Sequence, residues 1–402
     1  MLRSPQSGRI YLKNACSGFN LSMWGWTMRR ILVAVVLGCG IGLVPAGGQN
    51  IPKSLQEGGP EEVLKQRQNN WTVGLAGGNM DGTYLRFADE LGKVLDDGAE
   101  LRVLPIISRG AAANLEDLLY LRGVDIAFTQ SDVFEYFRTQ RKTPNLESRI
   151  QYIIRLPVAE LHVTARADIK TLEDLRGQKV VFGPPGSSPT LTGPIVFQRL
   201  GLPVEPVFVD FATGMKMIRS GEVAGLLGVV SKPVDYWLKI PPDTGLHLLP
   251  VPYSKVFADL YTLGEFTSQD YPNLIPPGQR IDTIAVPSVL AVYNWPKNSD
   301  RYRRVERFIQ YLYARWDKLT QPPFHARWRE VNLAATVPGW TRFSVSEEML
   351  QRLSRNSTDR VLNADFRTYL NSPEVRAAPR SETERDALFR EFLQWREGRR
   401  KP

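Results

Sequence analysis

From residue 71 onward, short apolar runs alternate with stretches of helical period, and Gly and Ser stand at the joints. Trp71-Thr-Val-Gly-Leu-Ala76 predicts a strand, and Tyr84, Phe87, Ala88, Leu91, Val94 and Leu95 recur at helical spacing after it. Leu101 to Ile107 predicts a second strand and Ala111 to Leu121 a helix that Ser108 is placed to cap. Val124 to Thr129 predicts a third strand, with Gln130-Ser131-Asp132 opening the next helix, and Leu161 to Ala165 a fourth. The grammar then restarts. Thr171 to Gly177 reads as a capped helical turn, Lys179 to Gly183 as a strand, and Pro184 to Thr190 as a joint before a helix to Leu200. Strand Val204 to Asp210, helix Phe211 to Ser220 and strand Val223 to Val230 follow, then a proline-rich irregular stretch. Ile281 to Tyr293 returns to strand character, Arg301 to Leu319 is an aromatic, Arg-rich helix, and the chain from Val345 onward is polar and helical. Such alternation predicts an α/β protein of two similar lobes in series, each a parallel-rich sheet covered by helices.

Composition changes this picture at one place, the N-terminus. The 402 residues are 43% hydrophobic and 23% charged, which argues against disorder and against a multi-span membrane protein. Lys and Arg number 51 against 42 Asp and Glu, a formal +9. Five of those cations lie in residues 1–48, which hold no Asp or Glu, so the rest carries 46 against 42 and is nearly balanced. The charge therefore gives no reason to expect nucleic acid as a partner. Met28-Arg29-Arg30, the apolar run Ile31 to Val44 and Pro45-Ala-Gly-Gly48 form the three parts of an export signal, with cleavage expected after Ala46 or Gly48. A retained N-terminal membrane anchor is the alternative, although the run is short for a hydrocarbon core of about 30 Å. Both cysteines, Cys16 and Cys39, fall in this segment, so a mature chain has none, and disulfides or zinc thiolates are not expected.

The joints do not carry the signatures of catalysis. Neither glycine loop is followed by the Lys of a phosphate cradle; His162, His247 and His325 stand far apart without an acidic ligand pattern; no Gly-x-Ser-x-Gly occurs. No enzyme, cofactor or metal site is expected, and histidines in structural or surface roles are. What the joints do offer is a set of helix N-termini at strand ends, where unpaired N–H groups and the helix dipole favour an anion. In open α/β sheets such ends face the ligand crevice.

Gly77-Gly-x-x-Asp-Gly-Thr-Tyr84, Ser108-Arg-Gly-Ala-Ala-Ala-Asn-Leu115, Gly123-Val-Asp-Ile-Ala-Phe-Thr-Gln-Ser-Asp132 and the run from Ile169 through Gly177 to Ser188 resemble the TAXI family. Its members are the extracytoplasmic solute receptors of tripartite ATP-independent periplasmic (TRAP) transporters. The resemblance spans most of residues 71–340. It implies a two-lobed periplasmic binding protein of type II-like fold with a ligand cleft between lobes, to which the polar residues after 340 would add a helical C-terminal extension. The segments would be an extension and signal at 1–48, lobe 1 at 71–165, lobe 2 at 166–255, a return segment completing lobe 1 at 256–340, and the extension at 341–402. Function would be capture of a small organic solute, a carboxylate or an amino acid such as glutamate, in the periplasm, by a monomer that delivers it to TRAP permease subunits. Carried onto this chain, the ligand contacts would be Asn79, Thr83, Tyr84, Ser108, Gln130 and Ser131 from lobe 1, and Ser187, Ser188 and Thr190 from lobe 2. Arg109 is the cationic candidate and Lys232 a weaker one. The sequence departs from the family at Gly186-Ser-Ser-Pro-Thr190, where Gly-Ser-Gly-Thr is usual, and at Ala224, where an acid is usual. Hinges are expected near 160–170 and 250–285. Two other readings stand beside this one: an ABC-importer binding protein, and a periplasmic sensor whose Arg301 to Trp340 stretch and tail dock a partner.

Overall fold

The computed structural model describes residues 58–80, 82–355 and 391–392. The export signal expected in 1–48 lies outside the described residues, as does most of the tail expected at 341–402, of which 344–355 and 391–392 are helical. Of Met1–Glu62 only residues 58–62 are described, ending in the start of helix α1 (Pro60–Asn70); the unit Val63–Pro402 carries everything below.

Its first half runs β1 (Thr72–Gly78), α2 (Thr83–Leu95), β2 (Arg102–Ile107), α3 (Ala111–Tyr120), β3 (Ile126–Gln130), α4 (Ser131–Thr139) and α5 (Leu146–Arg149). The six apolar positions of α2 that recur at helical spacing are all buried against the sheet. After the long strand β4 (Ile150–Ala165), the second half runs β5 (Lys179–Val181), α6 (Pro189–Arg199), β6 (Glu205–Val207), α7 (Phe211–Ser220), β7 (Gly225–Val230), α8 (Asp235–Leu238), β8 (His247–Leu248) and β9 (Thr262–Thr267). Strand β10 (Arg280–Tyr293) and helices α9 (Asp300–Ala314) and α10 (Trp316–Leu319) follow.

Instead of two separate sheets, the strands form one, in the order β2-β1-β3-β10-β4-β7-β5-β6, with β8 beside β4 and β9 beside β10. Each wing is parallel (β2-β1-β3 and β7-β5-β6), and the central pair β10-β4 is antiparallel to its neighbours and to itself. The reason is length. β4 and β10 have 16 and 14 residues, about 50 Å at roughly 3.3 Å per residue, and so cross from one wing to the other. Ile150 to Leu156 and Val289 to Val292 pack in the core of the first wing, whereas Ala159 to Ala165 and Ile284 to Val286 pack in the second. Pro157 and Pro287 stand at the changeover, where the register slips between Val286 and Ser288. Proline cannot donate to a ladder, so both strands lose pairing at the same level. The junction therefore lies near 157–158 and 287–288, just ahead of the first of the expected hinge regions and just past the second. In the second wing, Val180 and Leu227 face one core while Val181 and Leu226 face another, the alternation that a sheet covered on both faces requires.

The sequence reading began the fourth strand eleven residues late. Arg155, Pro157 and Glu160 interrupt the apolar pattern between Ile150 and Leu161; Glu160 is tolerated in the interior because Arg327 pairs with it at 2.7 Å.

Candidate functional site

The wings meet over a small, partly open cavity of about 50 Å³. The first wing lines it with Gly78, Asn79, Gly82, Thr83, Tyr84, Arg109 and Gly110, and the second with Ser187, Ser188 and Pro189. An apolar wall of Phe211, Val229, Val234 and Trp237, with Tyr236, closes the far side. The strand-to-helix loops converge here because α2, α3 and α6 all begin at the carboxyl ends of parallel strands. None of these three helices has a side-chain cap, whereas α7 is capped by Asp210, whose carboxylate accepts from Thr213 N–H. The helix ends that face the cavity thus keep leading N–H groups for something other than their own side chains.

Contacts between the wings hold them together around the cavity. Ala113 N–H donates to Gly186 O at 3.1 Å, Thr83 Oγ1 to Ser231 O at 2.7 Å, and Thr192 Oγ1 to Asp132 Oδ2 at 2.6 Å. Gly110, at φ +130°, allows the approach: a Cβ there would stand 3.0 Å from Ser187 Cα, and the backbone conformation itself disfavours any other residue.

Six of the ten residues expected at the ligand come together around this cavity: Asn79, Thr83, Tyr84, Arg109, Ser187 and Ser188. Ser187 is 2% exposed and its hydroxyl has no hydrogen-bond partner among the described residues. Arg109 makes no hydrogen bond or ion pair among the described residues. Tyr84 stacks on Phe128 at 5.4 Å, and its hydroxyl bonds Ser288 Oγ at 2.6 Å; burial drives its pKa far above the ordinary phenol range, so it stays a neutral donor. Gln130 is fully buried beside that hydroxyl, close enough to lower its pKa, yet neither of its amide atoms reaches hydrogen-bond geometry.

Three others do not line the cavity. Ser108 does not cap α3, whose N-cap is Gly110; its hydroxyl accepts from Gly110 N–H and bonds Asn114, stiffening the turn. Ser131 Oγ donates to Pro287 O at 3.3 Å, at the strand changeover. Thr190 Oγ1 donates to Ser187 O at 2.6 Å and faces a separate groove between the wings. Lys232 is engaged by Asp270 at 2.9 Å and Glu265 O at 2.6 Å, which corrects its reading as a ligand cation. Sequence reasoning missed Phe211, Tyr236, Trp237 and Ser288. Phe211 opens the helix after β6 and the Val234 to Trp237 run follows β7, so the strand-end rule used for the other loops would have found these.

Two of the histidines, His162 and His325, are buried in structural positions. His162 Nε2 meets Tyr271 OH at 2.7 Å and Nδ1 meets Glu160 O at 2.9 Å, and burial pushes its pKa to about 3. Burial, with Arg86 and Arg327 nearby, lowers His325 to about 4. The Arg-rich stretch read as a docking surface is also engaged within the chain. Arg304 donates to Thr72 O at 3.0 Å, Arg307 lies 3.5 Å over the Trp71 ring, and Arg315 donates to Val94 O and Leu95 O.

Asp132 is the titratable group in the contact between wings. Burial raises its pKa to about 6, against the stabilising effect of Thr192, Val133 N–H and Tyr261. The folded carboxyl therefore holds its proton to higher pH than the unfolded one. The contribution of this group to stability should be greatest below about pH 4, fall by about 3 kcal/mol through pH 4 to 6, and change no further above that. Urea midpoints across this range should show that slope in the native chain and its loss in Asp132→Asn; equal slopes in both would refute the assignment.

A two-winged α/β protein with a strand-end cavity between its wings, closed by contacts on both sides, is a ligand-binding protein of the periplasmic-binding-protein type II fold. Residues 75–335 match the NMT1-like family, and the chain belongs to that family. Among solved structures, the chain is similar to the effector-binding domain of a BenM variant (17% identity, covering 63% of this chain and 100% of that one, TM-score 0.37). It is also similar to YhfZ from Shigella flexneri (16%, 66% and 97%, 0.38) and to AF1704 from Archaeoglobus fulgidus (12%, 82% and 98%, 0.38).

Proposed function

We propose that the protein is an exported solute receptor that captures a small organic anion, a carboxylate or an amino acid such as glutamate, and delivers it to a TRAP-type permease. The observation that carries the binding reading is the buried, unpartnered Ser187 hydroxyl at a cavity onto which three uncapped helix N-termini and the unpaired Arg109 converge. N–H groups, a hydroxyl and a guanidinium are the donor set that a carboxylate accepts. The apolar wall gives the remainder of the solute a dry face. Delivery to a TRAP permease rests on the four TAXI-like motifs, all within the family match.

Calorimetry of the purified chain with a panel of carboxylates and amino acids tests capture. Arg109→Ala should weaken binding by roughly 1.5–3 kcal/mol and Ser187→Ala by about 1 kcal/mol, with unfolding midpoints unchanged. A native chain that binds nothing on the panel and carries no co-purified solute would end the receptor reading. Uptake with the partner permease in vesicles tests delivery: transport driven by an ion gradient supports it, and dependence on ATP would assign the receptor to an ABC importer instead.

A further inference from the structure

The cavity is too small to hold a whole solute. An apolar cavity of roughly 150 Å³ is what benzene occupies, and this one measures about 50 Å³. It has room for a head group at the helix ends. Beside it lies a second hollow of about 470 Å³ that shares Gly82, Thr83, Val234 and Tyr236 with it as lining residues. The charged side chains lining that outer chamber are Arg86, Arg219, Lys239 and Asp235, and both wings contribute to it. His325, also on its wall, stays neutral.

These cations are not equivalent. Lys239 is paired with Asp235 at 2.9 Å, and Arg86 gives its Nε to Glu90 at 3.0 Å. Arg219 makes no hydrogen bond or ion pair among the described residues. It lies in the last turn of α7, whose first residue, Phe211, belongs to the wall of the inner cavity. Eight residues of helix separate the two, about 12 Å along the axis. The apolar part of the outer lining includes Met80 and Met215, unbranched side chains that adapt to chains of differing shape.

We infer that the solute is an extended dianion, its head carboxylate in the inner cavity and a second anionic group in the outer chamber within reach of Arg219. This rests on the receptor reading above and narrows it: over the roughly 12 Å from Phe211 to Arg219 along α7, an eight-carbon dicarboxylate meets the guanidinium with the arginine side chain only partly extended, whereas a five-carbon one needs that side chain stretched fully toward the cavity. The apolar spacer lies along Val234, Tyr236 and the methionines.

Calorimetric titration with octanedioate, octanoate and glutarate tests this in the full chain and in Arg219→Gln. Octanedioate should bind about tenfold more tightly than either of the others, and Arg219→Gln should remove that advantage while leaving octanoate unchanged, since Arg219 is exposed and octanoate has no second anionic group for it to meet. Equal affinities for octanedioate and octanoate, tighter binding of glutarate, or an equal loss for all three in Arg219→Gln would overturn the extended dianion and leave the receptor reading intact. Absence of binding by all three, with no response across the wider panel, would overturn both.

Discussion

Arg327→Met is expected to destabilise the protein by roughly 3–5 kcal/mol at neutral pH, the cost of leaving a buried carboxylate without its partner. Glu160 is 2% exposed and lies in β4 just past the changeover. Its carboxylate accepts from Arg327 Nη1 at 2.7 Å and from Lys232 N–H at 3.0 Å. Burial pushes the Glu160 pKa up, while Arg327 and then Lys232 pull it back. Removing the guanidinium leaves burial less opposed, so the folded carboxyl should hold its proton to still higher pH. The sign follows from linkage: the loss should be smallest in acid, where the carboxyl is neutral in both states, and should grow as pH rises. Guanidinium midpoints at pH 5 and 7.5 measure it. A loss below about 1 kcal/mol, or one that does not grow with pH, would show that the pair contributes little to holding this junction.

Gly74→Ala is the second large effect. Gly74 lies in β1, between β2 and β3, and a Cβ there would stand 1.7 Å from Gly123 O. That neighbour is backbone, and it has little freedom to move away. Gly74 N–H donates to Asp125 Oδ2 at 3.1 Å, and Asp125 N–H returns a bond to Gly74 O at 2.9 Å, so the two segments are tied at the point of contact. Overpacking a core ordinarily costs about 1–3 kcal/mol, and an immovable carbonyl places this case at or above the top of that range. The variant should lose at least about 3 kcal/mol or fail to accumulate as folded protein, read by circular dichroism and denaturant titration. A stable variant with a native midpoint would mean that the β1 to Gly123 approach is looser than the structure gives.

Much of the second wing could be read from the sequence because its punctuation is local. Helix α7 was expected at Phe211 to Ser220 and is found there, since Asp210 caps its first turn and Gly221, at φ +82°, ends it. Thr171 and Asp174 likewise form a capping box on the short turn at Leu172–Leu175. The long central strands were less legible. Their pairing is decided by residues more than a hundred positions apart, and the polar interruptions in β4 acquire partners only in three dimensions. The site shows the same division. Strand-end loops announced Thr83, Arg109 and Ser188, but whether a hydroxyl turns into a cavity or back onto a carbonyl, as for Thr190, depends on the opposite wing. The single sheet in place of two was hidden for the same reason, because a strand that crosses between wings has no local signature.

The order of strands in that sheet also governs when each wing can be completed. β10 lies between β3 and β4, so the first wing keeps a vacant lane until residues 280–293 have been synthesised. Most of the second wing lies within that interval, between β4 and β10. The wing that begins first along the chain is therefore finished last, through a pairing between Ile126 and Val292 that spans 166 positions. Contacts so distant in sequence form slowly, and until β10 arrives β3 and β4 present open edges to whatever else can pair with them.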